Sequence, residues 1–79
     1  MPEQFEKLPA NERRFGYIAI EKRFINREQL RKALDIQITE ENKNGKHLFI
    51  GEILLDLNYL TLEQIEEVLL VLIKTGKPK

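Results

Sequence analysis

The residue types that most often carry catalytic or metal chemistry are scarce in this chain. Its 79 residues include one histidine, His47, and no cysteine. A zinc site, a histidine-based or thiolate nucleophile and a disulfide therefore cannot be assembled. Carboxylates are numerous, but we expect them on polar helix faces or in a polar linker, where no pocket would pair an acid with a base. No glycine-rich phosphate loop or dinucleotide fingerprint occurs. We predict a protein that is not an enzyme, has no cofactor and leaves His47 solvated.

Two glycines and one glutamine lie where a helix would normally place apolar or helix-favouring residues. Gly16 and Gly51 each cost about 1 kcal/mol relative to alanine inside a helix. A close helix crossing would offset that cost, and so would a ligand resting on the exposed backbone; we favour the crossing. Gln37 falls at the centre of an apolar helix side. Its amide either emerges near the helix end or hydrogen-bonds a ligand held between helices.

These positions belong to an internal repeat. The segment RFGYIAIEKRFINREQLRKALDIQ (14–37) aligns without gaps with FIGEILLDLNYLTLEQIEEVLLVL (49–72). The matched pairs include Phe15 with Ile50, Gly16 with Gly51, Ile18 with Ile53, Ile20 with Leu55 and Leu34 with Leu69. A repeat of this length is typical of a duplicated supersecondary unit that cannot bury its apolar face alone.

Helical periodicity fits the chain better than strand alternation, although EILLDL (52–57) could form a short strand. Capping boxes are recognisable at Asn26 with Gln29 and at Thr61 with Gln64, and Asn11 is the expected first cap. The sequence predicts helices at about 12–22, from 27 into the polar run 39–47 with Gly45 as C-cap, at 48–57 ended by Asn58, and at 62–74.

The predicted fold class is all-α, with four short helices forming two tandem αα-hairpin repeats in a single compact domain. The predicted boundaries are an N-terminal arm at 1–10, a helical domain at 11–74 and a flexible tail at 75–79. Within the domain, repeat one is 14–37, the linker 38–48 and repeat two 49–72. A domain of this size buries only about 60–65% of its unfolded surface, so help from a partner is expected.

Charge points to a protein without a general affinity for polyanions. Thirteen basic and thirteen acidic residues cancel, although the first repeat is locally basic. Arg23, Arg27 and Arg31 could line a recognition helix, so helix-turn-helix binding to nucleic acid is the second alternative function. Glu28 and Asp35 share that surface and argue for a solvated face. No apolar run approaches a membrane span, and we predict a cytoplasmic location without membrane contact.

The last helix carries more apolar residues than one side can bury. Ile65, Val68, Leu69, Leu72 and Ile73 are predicted to face the core, while Leu70 and Val71 project away. The N-terminal arm or another protein chain would have to cover them. Leu70 and Val71, with Ile20 and Leu55 on second apolar edges, are therefore the predicted contact surface of a protein-interaction or regulatory module. The predicted partner is another protein or a second copy.

The paired pattern resembles the MshEN domain, the N-terminal domain of type II secretion and type IV pilus assembly ATPases. That repeat reads RLGxxLLxxGLLxxxxLxxxLxxQ and is present twice, and in some members the pair binds cyclic di-GMP. The first copy fits through Arg14, Phe15, Gly16, Leu30, Leu34 and Gln37, and the second through Ile50, Gly51, Ile65 and Leu69. The resemblance implies the same helical fold, here without an ATPase.

Departures from the family pattern bear on the ligand. In the second copy the arginine is replaced by Phe49 and the glutamine by Leu72, and the spacer has eleven residues where the nucleotide binders are expected to have about five. If arginine and glutamine contact the nucleotide, as the resemblance implies, then Arg14, Gly16 and Gln37 alone remain to do so. A sensor of cyclic di-GMP or a related nucleotide is therefore the first alternative function, and two intact first repeats in a homodimer would restore the missing contacts.

Overall fold

Four helices make up the part of the chain that the computed structural model describes, residues 8–75. They are α1 (Ala10–Glu21), α2 (Arg27–Asn44), α3 (Ile50–Asp56) and α4 (Leu62–Thr75). No strand occurs among these residues, and EILLDL is helical over most of its length. The predicted all-α fold of four helices is confirmed.

Both repeats turn between their helices in the same way. Arg23 and Asn58 occupy equivalent positions and adopt left-handed backbone angles, with φ of 64° and 65°. The amide that follows donates across the turn in each case, from Phe24 to the Ala19 carbonyl at 3.0 Å and from Tyr59 to the Leu54 carbonyl at 2.9 Å. This arrangement satisfies carbonyls at the end of a helix without a glycine. The prediction that Asn58 adopts the left-handed conformation at the end of α3 is confirmed. The two repeats are also equivalent in the hydrogen bonds of their turns.

The predicted capping boxes start the second helix of each repeat. The Asn26 side chain accepts from the Gln29 amide at 2.8 Å, and the Gln29 side chain accepts from the Asn26 amide at 2.9 Å. Thr61 and Gln64 form the equivalent pair at 3.1 and 3.0 Å. Reciprocal bonds of this kind satisfy amides that have no partner inside the helix.

The first helix begins earlier than predicted. Its N-cap is Pro9, whose carbonyl accepts from the amides of Glu12 at 3.0 Å and Arg13 at 3.1 Å, so the assignment of Asn11 as N-cap was wrong. Leu8 is buried in the core. The predicted arm at 1–10 therefore does not reach residue 10; its residues 1–7 lie outside the described part, as do residues 76–79 of the predicted tail.

The second helix runs through most of the predicted linker. It has 18 residues and ends at Gly45, whose φ of 64° and bond from its amide to the Glu41 carbonyl confirm the predicted C-cap. Glu40, Glu41 and Lys43 in this polar run are good helix formers. The Asn44 side chain donates to Glu40 one turn earlier at 2.8 Å. The connection between α2 and α3 is thus only residues 45–49.

Helices pack mainly across the two repeats. The closest helix pairs are α2 with α3, α1 with α4 and α1 with α3, so each second helix packs on the first helix of the other repeat. The largest fully buried side chains in this arrangement are Phe15, Leu30, Leu34, Ile50, Leu54 and Val68. Because each repeat supplies the cover for the other, neither unit is expected to be stable alone.

Gly51 lies under two aromatic rings at the crossing of α1 and α3. Phe15 and Phe49 meet edge to face with ring centroids 5.5 Å apart. A Cβ atom on Gly51 would stand 3.0 Å from Phe15 Cζ and 3.0 Å from Phe49 Cε2. The approaching atoms belong to side-chain rings, so the prediction that another backbone would approach this glycine was wrong.

Candidate functional site

Four of the five large hydrophobic side chains exposed on the described part of the chain lie on α4. Leu62, Leu69, Leu70 and Ile73 are 64%, 37%, 58% and 65% exposed. Their spacing places them along one side of the helix, with Glu66 between them. Glu66, Leu69, Leu70 and Ile73 also line a shallow groove. We call the surface formed by Leu62, Glu66, Leu69, Leu70 and Ile73 the α4 face.

The opposite side of α4 anchors it to the core. Val68 is fully buried, and Ile65, Val71 and Leu72 pack against the core from partly buried positions. Lys22, the C-cap of α1, forms an ion pair through its Nζ with Glu67 Oε2 at 2.9 Å. The α4 face is therefore held outward by a helix fixed on its other side.

The predicted orientation of α4 was partly wrong. Leu69 and Ile73 were expected in the core and are exposed, whereas Val71 was expected to project and instead packs against the core. The sequence of a helix with apolar residues on nearly every side does not predict which side faces the core. In the structure, α4 packs against α1 and its Val68 is fully buried. Leu70 is exposed as predicted. Ile20 and Leu55 are half-buried, and Ile20 packs against the core.

A second feature is a buried polar network centred on Glu12, which is 4% exposed. Its Oε1 accepts from Gln37 Nε2 at 3.0 Å and from the Ile50 amide at 3.1 Å. Gln37 Nε2 also donates to the Leu48 carbonyl at 2.6 Å. Since Ile50 is the first residue of α3, a carboxylate from α1 satisfies an amide at the start of another helix. The network joins α1, α2 and α3.

His47 closes this network from the solvent side. Its Nε2 lies 2.7 Å from Glu12 Oε2, and its Nδ1 contacts Glu41 Oε2. A neutral imidazole has one N–H, so hydrogen bonds to two carboxylates require the imidazolium form. The hydrogen bond to Glu12, followed by that to Glu41, raises the pKa of His47 above its ordinary 6.5, against a smaller opposing effect of burial.

Two expectations drawn from the sequence are corrected by this network. His47 is not simply solvated but bridges two carboxylates, and Glu12 is not on a polar helix face but inside the protein. The repeat contained a signal that was missed, because the offset that relates Gly16 to Gly51 also relates Glu12 to His47. Residues of opposite charge at equivalent positions meet where α1 approaches the start of α3.

The predicted nucleotide contacts are embedded in the protein to different degrees. Arg14 is half-buried and Gly16 is buried. Gln37 is 2% exposed, and its amide nitrogen donates to both Glu12 and Leu48, so the expectation that its amide emerges near the helix end was wrong. To bind Gln37, a nucleotide would have to break its hydrogen bonds to Glu12 and Leu48. Binding of cyclic di-GMP stays a prediction.

The arginines proposed for nucleic-acid contact lie on a surface of mixed charge. Arg23, Arg27 and Arg31 are exposed. The groove beside Arg31 is lined by residues of both signs: Asn26, Glu28, Gln29, Arg31, Lys32, Asp35 and Tyr59. Phosphate binding depends on a concentrated positive charge, which the interleaved carboxylates reduce.

Comparison with known protein families, with curated proteins and with solved structures gives no match to this chain. Within residues 8–75, no group of acidic or histidine side chains is arranged to hold a metal ion. None of the helices in that range combines the length and the apolar character needed to cross a membrane.

The histidine bridge predicts that folding stability decreases with rising pH. A folded-state pKa above the unfolded value of about 6.5 means that protonation favours the folded state. That contribution is complete below about pH 6.5 and is lost as the pH rises through the folded-state pKa. We expect the urea midpoint of the wild type to fall between about pH 6 and pH 9. In His47→Gln, which has no histidine, this decrease should be absent; an equal decrease in both proteins would contradict the bridge.

Proposed function

We propose that this protein is a non-enzymatic protein-interaction module with a regulatory role, and that the α4 face is its contact surface. The observation that carries the proposal is the exposure of four large apolar side chains along one side of a helix whose other side is anchored. Contiguous apolar surface of this kind is typical of a docking site, whereas single exposed apolar residues are ordinary. The resemblance of the repeats to N-terminal domains of secretion and pilus ATPases supports a regulatory role.

The charges around the α4 face favour a protein over an anionic partner. Glu63, Glu66 and Glu67 are exposed in the first half of the helix, and Lys74 is the basic residue of its last turn. Phospholipid headgroups and nucleic-acid phosphates would be repelled by the acidic half. A helix of a partner protein that packs its apolar side into the groove of the α4 face, with charged residues along the edges, fits these charges better.

The α4 face predicts a specific loss of binding when a charge is placed at its centre. A photo-crosslinking residue at position 70 identifies the partner in cells that produce the protein, and the partner is then purified for titration calorimetry. Leu70→Asp should weaken its binding at least about tenfold, because a buried carboxylate without a partner costs well over 1.4 kcal/mol.

The matched control is Tyr17→Asp. Tyr17, on α1, is 50% exposed. Among the described residues it is the large exposed hydrophobic side chain that lies outside the α4 face. Both variants should retain the helical circular dichroism of the wild type. Equal affinity of the wild type and Leu70→Asp for the purified partner would reject the α4 face as the contact surface.

A further inference from the structure

We propose that the α4 face binds a second copy of this chain, with the two α4 helices packed antiparallel about a twofold axis. This inference rests on the proposed function of the α4 face and names one partner for it. The charges along α4 identify this partner, because in an antiparallel pair the acidic start of each helix lies beside the basic end of the other.

Glu63 and Lys74 lie on the same edge of the α4 face. They are eleven positions apart, which is three helical turns within about 20°, and both are exposed. Glu63 is in the first turn of α4 and Lys74 in the last. In an antiparallel pair the same edges of the two helices meet, so Glu63 of each copy lies beside Lys74 of the other. Two symmetric ion pairs result.

The register set by these ion pairs also matches the apolar residues. With Glu63 opposite Lys74, the centre of the contact falls next to Leu69 and Leu70 of both copies. Ile73 then lies between Leu62 and Glu66 of the partner, where it can cover the aliphatic part of the glutamate. A parallel pair would instead bring opposite edges of the two helices together, so Glu63 and Lys74 would lose their ion pairs, while Glu66 near the centre of the face would meet Glu66 of the other copy.

The size of the face sets the strength of the association. From Leu62 to Ile73 the helix extends about 17 Å. Two such helices bury less than the roughly 800 Å² per partner of a standard stable interface. We therefore expect a weak dimer, with a dissociation constant on the order of 100 µM.

Charge reversal tests both the occupant and its orientation. Sedimentation velocity at low ionic strength, where exposed ion pairs are least screened, measures the dimer constant of Glu63→Lys, Lys74→Glu and the double variant. Each single reversal replaces two attractive pairs by two repulsive ones and should weaken the dimer about five- to tenfold. The double variant restores opposite charges in the antiparallel pair and should recover nearly wild-type association. Circular dichroism checks that each variant keeps its helices.

Three outcomes would overturn the inference. They are a wild type that stays monomeric up to about 1 mM, well above the expected constant, a double variant no stronger than the single ones, and a dimer that persists in Leu70→Asp. None of them decides the proposed function, because binding of a purified cellular partner to the wild type and to Leu70→Asp is measured separately. A monomer that still loses its partner through Leu70→Asp would reject only the second copy.

Discussion

Replacing Glu12 by alanine is expected to lower the free energy of unfolding by about 3 kcal/mol. The carboxylate is buried and serves three partners at once: the Gln37 amide, the Ile50 amide at the start of α3, and His47. Alanine would leave a buried backbone N–H and one N–H of Gln37 without an acceptor, and each such group costs about 1–3 kcal/mol. For a domain with a total stability of about 4–12 kcal/mol, the loss would be large. Urea denaturation near neutral pH measures it.

The matched control for this experiment is Glu28→Ala. Glu28 is also in the first turn of a helix, α2, but it is exposed, so its replacement removes mainly the interaction with the helix dipole. That interaction is worth about 0.3–1 kcal/mol. If Glu12→Ala cost no more than Glu28→Ala, the network would contribute little beyond the dipole. Glu12→Gln should fall between them, because its amide oxygen can still accept the two hydrogen bonds that Oε1 receives while the charge facing His47 is lost.

Local sequence signals were sufficient for the four helices and their turns. The capping boxes at Asn26 and Thr61, Gly45 as C-cap and Asn58 in the left-handed region depend on contacts within a few residues, and the structure has all of them. Asn11 failed as a cap because the chain offered a second local solution, in which the Pro9 carbonyl accepts the first helical bonds. Helix ends with competing caps are decided by small energy differences.

Buried polar contacts could not be predicted in the same way. Glu12 and Ile50 are 38 residues apart, and Gln37 lies between them in sequence, so no local pattern connects the three. The central position of Gln37 on an apolar helix side did indicate that its amide needed a partner. The sequence did not indicate that the partner is internal, because this depends on how α1 and α3 cross. Only the equivalence of Glu12 and His47 in the two repeats hinted at their contact.

The rotation of α4 was unpredictable for a different physical reason. Burial of apolar area sets the rotation of a helix only when one side is clearly more polar than the other. On α4, Leu69, Leu70, Val71, Leu72 and Ile73 follow one another without a polar residue. Several rotations bury similar apolar area, and the buried position of Val68 selects one of them. The residues left outside are what make α4 a candidate contact surface.

Substitution of Gly51 by leucine is expected to destabilise the fold by about 3 kcal/mol, despite the better helix propensity of leucine. A Cβ atom alone would already stand 3.0 Å from the rings of Phe15 and Phe49, and Phe15 is fully buried, so its ring cannot move out into solvent without opening the core. The remaining leucine atoms would force α3 away from α1 at the centre of the core. Gly51→Ala should lose less, about 1 kcal/mol, since a gain in helix propensity of similar size offsets part of the crowding.

A double-mutant cycle with Phe49→Ala separates crowding from any other role of this glycine. Phe49 is half-buried, and removing its ring gives both the new side chain and Phe15 room to move. In the Phe49→Ala background, Gly51→Leu should therefore cost at least about 1 kcal/mol less than it does in the wild type. Equal costs in the two backgrounds, measured by urea denaturation, would mean that the Phe49 ring is not what excludes a side chain at position 51. The explanation would then have to come from the buried Phe15 ring or from the backbone of α3.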